Sequence, residues 1–382
     1  MKQREYAYDN LKFLLIVLVI AGHLADFYTE PGGNASGSLA VAARGLYGLI
    51  YIFHMPAFIF VSGLFAKSAL SDKSRAMKRT GEFLVLYILC KLLLGLPSML
   101  LRCTFDFQLL SESGIPWFML SMALWYAMAY VLEKCRVILK KWNVPVILAA
   151  NIALACILGY TGVIGDFLCL SKTIVFFPFF WMGLHMDAGK LTDKVSKPVC
   201  RAVGAVGILL FVLAAVIQPE FLYALRPLLN GRGDAYAQVA ENFANMYPQV
   251  DAAAGIAGTA GLMTGTVSGA GITGLLAKPA YGVFWRLAHY AAAAFLIYCL
   301  LAVIPKKKLA VSVCGERTLQ VYFLHYIFLY PLKIVPVVEK MQTVLPTAVC
   351  LLFILVVSAL LAVLLSARFI TVLFERFHRI WK

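Results

Sequence analysis

Long apolar stretches recur along almost the whole sequence and limit the chain to a helical membrane protein. The chain of 382 residues is 62% hydrophobic, whereas a soluble domain is about 45–50% apolar. About 20 apolar residues cross a bilayer as a helix, which satisfies its own backbone groups where water is absent. Hydropathy predicts an all-α bundle of about ten transmembrane helices, near residues 10–28, 46–66, 83–101, 116–132, 145–162, 173–186, 202–218, 283–304, 318–334 and 346–367.

The distribution of basic residues predicts how these helices are oriented. The sequence carries 34 Lys and Arg against 19 Asp and Glu, a net charge of +15. With the N-terminus in the cytoplasm, most of the Lys and Arg residues fall in cytoplasmic loops, as the positive-inside rule requires. The basic excess therefore indicates orientation and contact with the lipid bilayer, not nucleic acid. We expect an integral, multi-pass plasma-membrane protein with both termini in the cytoplasm.

One long segment between the seventh and eighth stretches is harder to place. Residues 219–282 fall on the outer side, and their second half, 252–277, is rich in small residues and carries no charge. Small residues suit either a re-entrant segment or a packed helix. A full crossing would move the basic cluster 306–308 to the wrong side of the membrane. The segment is therefore predicted to be an extracytoplasmic loop with some structure of its own.

The first apolar stretch carries a cation and an imidazole on one face. Lys12 and His23 are eleven residues apart, which is close to three helical turns and separates them by roughly 16 Å along the axis. Asp9 lies one turn before Lys12 and can pair with it. An ionisable group inside a membrane span is a candidate functional residue. The alternative interpretation is that Lys12 snorkels to the surface and His23 is hydrogen-bonded inside the bundle.

The second stretch contains another intramembrane histidine, His54, followed by Pro56 and then by Ser62 and Gly63. A proline frees backbone groups inside the membrane, and a small-residue pair allows two helices to approach closely. Kinking and tight packing explain Pro56 and Gly63 without any chemistry. His54 is less easily explained by packing alone.

A basic run follows the second stretch and consists of Arg75, Lys78 and Arg79. Arg forks and Lys point charges suit phosphate groups. The same three residues also fit the commoner role of a positive-inside loop that faces lipid.

Two later segments add further candidates. Trp117 and Phe118 open the fourth stretch, where an aromatic belt is the simpler explanation, and His325 lies inside the ninth. The nine cysteines show no C-x-x-C pair, and no H-E-x-x-H spacing occurs. The sequence therefore predicts neither a disulfide framework nor a metal site.

Together these features resemble the membrane-bound acyltransferase 3 family, and within it the branch of fucose-4-O-acetylase-like proteins and glycan O-acyltransferases. The family more often has Arg where this chain has Lys12. The resemblance covers most of the first nine stretches and rests on the following residues: Asp9, Lys12 and His23; His54, Met55 and Pro56 with Ser62 and Gly63; the run 75–79; Trp117 and Phe118; and Gly315, Thr318, Leu319, Tyr322 and His325.

The resemblance implies a single integral-membrane acyltransferase domain over residues 1–382. It would move an acyl group, most often acetyl, from cytoplasmic acyl-CoA to a hydroxyl of an extracytoplasmic sugar or glycan, with acyl-CoA as co-substrate and no bound cofactor. His23 would act as general base or carry the acyl group itself. The implied roles are catalytic for His23, Lys12 and Asp9, donor-binding for Arg75, Lys78 and Arg79, and substrate-contacting or carbonyl-polarising for His54, Ser62, Lys91, Trp117 and His325.

Two other functions fit parts of the same pattern. Buried His, Lys and Pro would also serve a transporter or flippase of a lipid-linked sugar or small metabolite. The absence of a clear internal repeat in the sequence argues against it. A non-catalytic sensor or scaffold on the same fold would predict departures at Asp9, Lys12 or His23, and the sequence shows only the Arg-to-Lys exchange. Loss of acylation in His23→Ala, with folding retained, would separate a transferase from both.

Overall fold

The computed structural model of the protein describes residues 5–29, 37–102, 108–112, 114–139, 143–246, 278–334 and 337–379. Within these ranges the regular secondary structure is helical, with 13 helices of at least seven residues. Residues Ser111 and Phe167 form an isolated β-bridge. The prediction of an all-α fold is confirmed.

The helices are numbered here in chain order. The first eight are α1 Tyr6–Asp26, α2 Ser38–Leu64, α3 Lys73–Arg102, α4 Trp117–Leu139, α5 Val144–Leu158, α6 Leu170–Leu184, α7 Ala188–Val195 and α8 Pro198–Ile217. The remainder are α9 Pro219–Ala224, α10 Arg226–Leu229, α11 Ala235–Met246, a 3-10 turn Pro279–Tyr281, α12 Gly282–Val303, α13 Ser312–Glu316, α14 Thr318–Ile334, α15 Val337–Gln342, α16 Thr347–Leu365 and α17 Arg368–Arg379.

Several of these helices can cross a membrane. In the described part of the chain, five segments are long and apolar enough by length and composition, namely α1, α2, α8, α12 with its preceding turn, and α16. Helices α5 and α6 and residues 318–329 of α14 are shorter and also apolar. With α3 and α4, these helices overlap the ten predicted stretches one for one. The multi-pass membrane architecture is therefore supported, while ten crossings and the orientation of the termini stay predictions.

The predicted outer segment 219–282 is helical at both ends. Helices α9, α10 and α11 follow α8 directly, and the 3-10 turn leads into α12. Residues 247–277, which contain the small-residue region 252–277, lie outside the described residues.

Helix α1 is enclosed by α2, α13, α14 and α16. Its first turn buries the polar residues Asp9 and Asn10. The Asn10 side chain donates to the carbonyl oxygens of Pro305 (2.8 Å) and Lys307 (3.0 Å) and accepts from the Ser312 hydroxyl (2.6 Å). A buried amide with all these partners is stabilising, because none of its groups is left unsatisfied. The contacts hold the segment after α12 against the start of α1.

A reciprocal glycine contact joins α2 to α6. A Cβ atom on Gly63 would lie 2.2 Å from the carbonyl oxygen of Phe180, and one on Gly183 would lie 2.1 Å from that of Phe60. No larger residue fits at either position without moving a backbone, so the close approach predicted for Gly63 is confirmed. This crossing holds α2, and with it His54, at a defined distance from the rest of the bundle.

A third close contact places α14 beside α1. An added Cβ on Gly315 would lie 1.8 Å from the carbonyl oxygen of Asp9, so α13 sits directly on the first turn of α1. Helix α14 begins two residues after α13 ends and runs alongside α1. The chain between Gly315 and His325 therefore brings that histidine level with His23.

Candidate active site

A cavity of about 590 Å³ opens beside the C-terminal half of α1, at the end predicted to face outward. It is called the outer cavity below. Its size is within the range of small-molecule sites. The lining includes His23, Asp26, Tyr47, Tyr51, His54, Lys91, Glu112, Trp117, Lys172, Arg226, Asn230, Tyr322 and Tyr326.

His23 stands in the wall of the outer cavity, in the last turn of α1. The ring stacks on His325 at a centroid distance of 5.4 Å and meets Tyr326 edge-on at 5.8 Å. Among the described residues, neither nitrogen has a hydrogen-bond partner. The two aromatic contacts fix the plane of the imidazole, and its nitrogens remain available to a ligand in the cavity.

His54 lies on the facing wall, on α2. Its Nδ1 is 2.8 Å from the carbonyl oxygen of Ile50, and its ring packs edge-on against Tyr51 at 4.7 Å. A carbonyl oxygen can only accept, so Nδ1 carries the proton and Nε2 of the neutral ring presents a lone pair. In this tautomer His54 can accept a proton at Nε2 but cannot donate a hydrogen bond from it.

His325 lies behind His23 and does not line the cavity. Its Nδ1 is 2.7 Å from the carbonyl oxygen of Tyr322, while Nε2 is buried and has no hydrogen-bond partner among the described residues. The same tautomer argument applies, so the neutral ring has no proton at Nε2. His325 therefore packs against His23 and would not itself touch a ligand in the cavity.

The outer rim is built by residues that the sequence did not single out. Arg226 Nη2 lies 2.8 Å from Asp26 Oδ1, and the Arg226 guanidinium stands over the ring of Tyr47. The Asn230 amide donates to the Tyr47 hydroxyl at 2.9 Å. Asp26 follows His23 by one helical turn, so the helical period gave a signal for it. No local sequence pattern connects Asp26 with Arg226, which lies two hundred positions later in the chain.

A buried arginine supports this rim from outside the cavity. Arg286 of α12 is fully buried, and its Nη1 donates to the carbonyl oxygen of Leu228 at 2.8 Å. Its guanidinium stands over the ring of Tyr236, whose hydroxyl donates to the Cys156 carbonyl. Burial raises the pKa of Tyr236 to about 12, so the phenol keeps its proton. Arg286 thereby holds the end of α10, the helix that carries Arg226.

Lys91 is committed to structural contacts. Its Nζ lies 3.1 Å from Glu112 Oε2 and donates to the carbonyl oxygens of Gln108 (2.5 Å) and Ser111 (2.7 Å). An ammonium group has three protons, so these contacts leave none over. The side chain lines the cavity and also ties α3 to the segment that precedes α4.

Ser62 is likewise engaged within its own helix. Its hydroxyl donates to the carbonyl oxygen of Phe58 at 2.9 Å, and Ser62 lines neither the outer cavity nor the one described below. The structure thus does not bring Ser62 together with His23.

Trp117 lies in the outer cavity as one of its aromatic walls. Its ring packs against Phe176 at 5.6 Å, and the Lys172 ammonium stands over it at 5.5 Å. Together with the stacked pair Tyr47 and Tyr51, at 3.8 Å, it presents flat apolar faces to a ligand.

A second cavity, of about 1150 Å³, opens at the opposite end of α1 and is called the inner cavity. Lys12 lines it, with Nζ 2.9 Å from Asp9 Oδ1, so the predicted pairing is present. Its other basic residues come from α4 and from the loop after α2, so no local sequence pattern links them to Lys12. The lining includes Glu5, Tyr8, Asp9, Lys12, Lys67, Tyr130, Glu133, Lys134, Arg136 and His185.

One wall of the inner cavity is a charged network. Glu133 accepts from Arg136 Nη2 at 2.8 Å and lies 3.0 Å from His185 Nε2. The His185 ring packs edge-on against Trp181 at 4.4 Å. The Arg side chain is therefore held in a defined position at the cavity wall, as anion recognition requires.

The predicted donor-binding residues Arg75, Lys78 and Arg79 lie outside this cavity. All three are exposed at the start of α3. Arg75 pairs with Asp72 at 3.2 Å, and Arg79 pairs with Glu82 at 2.7 Å. The run follows the loop that carries Lys67, so it lies near the same end of the bundle. None of its three residues lines the inner cavity with Lys12.

The two cavities share no lining residue. Between them α1 presents Leu15 and Ile16, both fully buried, and α2 presents Phe58, 8% exposed. An apolar layer about two helical turns thick therefore separates Lys12 from the outer cavity. In the ranges that the structure describes, no group of three or more His, Cys, Asp or Glu residues could hold a metal ion.

Comparison with known proteins assigns the chain to a family. The chain matches the family described as "Acyltransferase domain" over residues 5–367. A stretch of 71 residues is 35% identical to nodulation protein NolL of Mesorhizobium japonicum; it covers 19% of this chain and 18% of that protein. The chain thus spans less than a fifth of the length of this curated relative. No solved structure matches. The protein belongs to the acyltransferase 3 family, as its motifs predicted.

Proposed function

We propose that this protein transfers an acyl group, most often acetyl, from cytoplasmic acyl-CoA to a hydroxyl of an extracytoplasmic sugar or glycan. The observation that carries the proposal is the pair of cavities at opposite ends of α1, with Lys12 in one and His23 in the other. Family membership supports acyl transfer as the class of reaction. Two separate cavities suit two substrates that arrive from different sides of a membrane.

The inner cavity suits the donor. Lys12, Lys67, Lys134 and Arg136 all line it, and phosphate groups are bound by such cations. The basic run 75–79 adds positive charge near the same end of the bundle and would steer a polyanionic donor toward the cavity. An extended pantetheine arm matches the roughly 16 Å of α1 between Lys12 and His23, provided that the apolar layer opens for it.

The outer cavity suits a sugar. Aromatic faces pack on the apolar faces of a ring, while carboxylate, guanidinium and amide groups bind hydroxyls. Tyr47, Trp117, Asp26, Arg226 and Asn230 offer this combination. The acceptor would lie between these residues and His23.

His23 would take the proton from the acceptor hydroxyl as the oxygen attacks the thioester carbonyl carbon. The C–S bond then breaks, CoA leaves as its thiolate, and the thiolate receives the proton from His23. The free ring nitrogens and the fixed ring plane support this role. A histidine-bound acyl group formed first would use the same residue as nucleophile, and both routes give the same products.

The test uses the full chain in proteoliposomes with labelled acetyl-CoA and a panel of saccharides. Wild type is expected to release CoA and to acylate a member of the panel, and His23→Ala is expected to do neither. His185→Ala is the comparison variant, because it removes a histidine that lines the inner cavity and leaves the outer cavity intact. Acylation by His23→Ala at the wild-type rate would contradict the proposed role. Sugar transport without CoA release by wild type would favour the transporter instead.

A further inference from the structure

The proposed reaction needs a hydrogen-bond donor for the carbonyl oxygen, which becomes an oxyanion when the acceptor attacks. Four of the five sequence-predicted candidates, namely Ser62, Lys91, His54 and His325, cannot supply one. Ser62 donates to Phe58, and Lys91 donates to two carbonyl oxygens and pairs with Glu112. His54 and His325 each direct Nδ1 at a backbone carbonyl, so neither neutral ring has a proton at Nε2.

The tyrosines of the outer cavity differ in how their hydroxyls are used. The Tyr322 hydroxyl donates to the carbonyl oxygen of Ile115 at 2.8 Å, and the Tyr47 hydroxyl is paired with Asn230. Tyr326 touches His23 with its ring. Among the described residues, the polar neighbour of the Tyr51 hydroxyl is the Tyr47 hydroxyl, which is itself paired with Asn230. A phenol proton can rotate from such a neighbour to a ligand in the cavity, because the C–O bond turns freely.

Tyr51 is also held beside the reacting centre. Its ring packs against Gly22, where an added Cβ would lie 3.0 Å from Tyr51 Cε2, and Gly22 directly precedes His23. The opposite contacts are the stacked ring of Tyr47 and the edge of His54. Three neighbours therefore fix the ring beside His54 and against the residue that precedes His23. Pre-organisation of this kind is what makes a donor effective in catalysis.

We infer that Tyr51 is a catalytic residue whose hydroxyl donates to the thioester carbonyl oxygen and stabilises the tetrahedral oxyanion. The inference rests on the proposed role of His23. The acceptor oxygen forms its bond to the carbonyl carbon and gives its proton to His23, while the carbonyl π electrons move to the oxygen held by Tyr51. When the intermediate collapses, the C=O bond re-forms, the C–S bond breaks, and the thiolate takes the proton from His23. Tyr51 keeps its own proton throughout.

The test is Tyr51→Phe, which keeps the ring and its three contacts and removes the hydroxyl. The loss of one oxyanion donor lowers kcat by about 100-fold or more. KM for acetyl-CoA and for the acceptor should stay close to wild type, because the interaction forms fully only in the transition state. The matched control is Tyr290→Phe, which removes a buried hydroxyl that donates to Val175 and does not line the cavity. This control is expected to keep the wild-type kcat.

The outcomes separate this inference from the proposed function. If Tyr51→Phe keeps kcat within about threefold while His23→Ala is inactive, Tyr51 is not the donor and the role of His23 stands. An effect confined to acceptor KM would also overturn the inference. Activity in both variants would overturn the proposed function itself. If Tyr51→Phe does not fold, a fluorinated tyrosine at position 51 keeps the ring and makes the hydroxyl more acidic. A change in kcat without a change in KM then supports the donor role, and an unchanged kcat contradicts it.

Discussion

The outer and inner cavities hold their charges in different arrangements. In the outer cavity, Arg226 pairs with Asp26 and Lys91 pairs with Glu112. In the inner cavity, Lys12 pairs with Asp9 and Arg136 pairs with Glu133, while Lys67 and Lys134 have no ion-pair partner in the part of the chain that the structure describes. Paired charges offer directed hydrogen bonds with little net field, which suits a neutral polar ligand such as a sugar. Unpaired cations create a field, which suits a ligand with several phosphates.

The largest expected effect tests whether the two ends of α1 have separate tasks. His23→Ala should lower kcat by about 10²- to 10⁴-fold, because it removes the proposed general base. Lys12→Met should act mainly on the donor, with a higher KM for acetyl-CoA and a smaller fall in kcat. Steady-state kinetics with each substrate varied in turn measures both. A similar loss of kcat in the two variants would break the division between the cavities.

A second prediction concerns the rim of the outer cavity. Asp26→Asn should raise KM for the acceptor by about tenfold, because it weakens a charge-assisted contact with Arg226 that is partly open to solvent. The side chains of Arg226 and Asp26 are 30% and 29% exposed, so solvent screens the pair and the effect stays below that of a fully buried one. KM for acetyl-CoA should not change. A rise in KM for acetyl-CoA alone would instead indicate that the donor, and not the acceptor, binds in the outer cavity.

The inner-cavity cations other than Lys12 give a third prediction. Replacing Lys67, Lys134 and Arg136 together by Gln should raise KM for acetyl-CoA by about tenfold at low ionic strength and by less at high salt, because mobile ions screen the field. Titration of acetyl-CoA at two salt concentrations checks it. The acceptor KM of the same variant serves as the internal control and is expected to stay unchanged.

The smallest effect is expected for the basic run. Gln at positions 75, 78 and 79 should raise KM for acetyl-CoA by only about two- to threefold, since these residues are exposed and two of them already form ion pairs of low energy. A larger effect than that of the inner-cavity triple variant would show that the run binds the donor directly. In that case the donor site would extend onto α3.

Part of this architecture could be read from the sequence because it depends on local pattern. The helices follow hydropathy, and the spacing of Asp9, Lys12 and His23 places them along one helix. His54 and Trp117 were recognised as candidates and do line the outer cavity. Gly63 was expected at a close helix contact and lies at one.

The remainder depends on contacts between distant segments. Arg226 meets Asp26 across two hundred residues, and Lys67 from the loop after α2 joins Lys134 and Arg136 of α4 at one cavity. The sequence also could not show that Ser62 bonds back to Phe58, or that Lys91 is used up by three oxygen atoms. Those outcomes depend on side-chain rotamers and on the path of neighbouring backbone. For the same reason Tyr51 could not be separated from Tyr47 by pattern alone.

The apolar layer between the cavities has a consequence for the energy state of the membrane. Leu15, Ile16 and Phe58 are buried, apolar and placed along α1 and α2 between the residues that line the two cavities, so they offer no polar group to a file of water between them. A histidine that exchanges protons at the end of such a file would let protons leak across the membrane and dissipate a proton gradient. A layer that opens only around the acyl arm of the donor would keep such a file broken, so the proposed transfer would proceed without a proton leak.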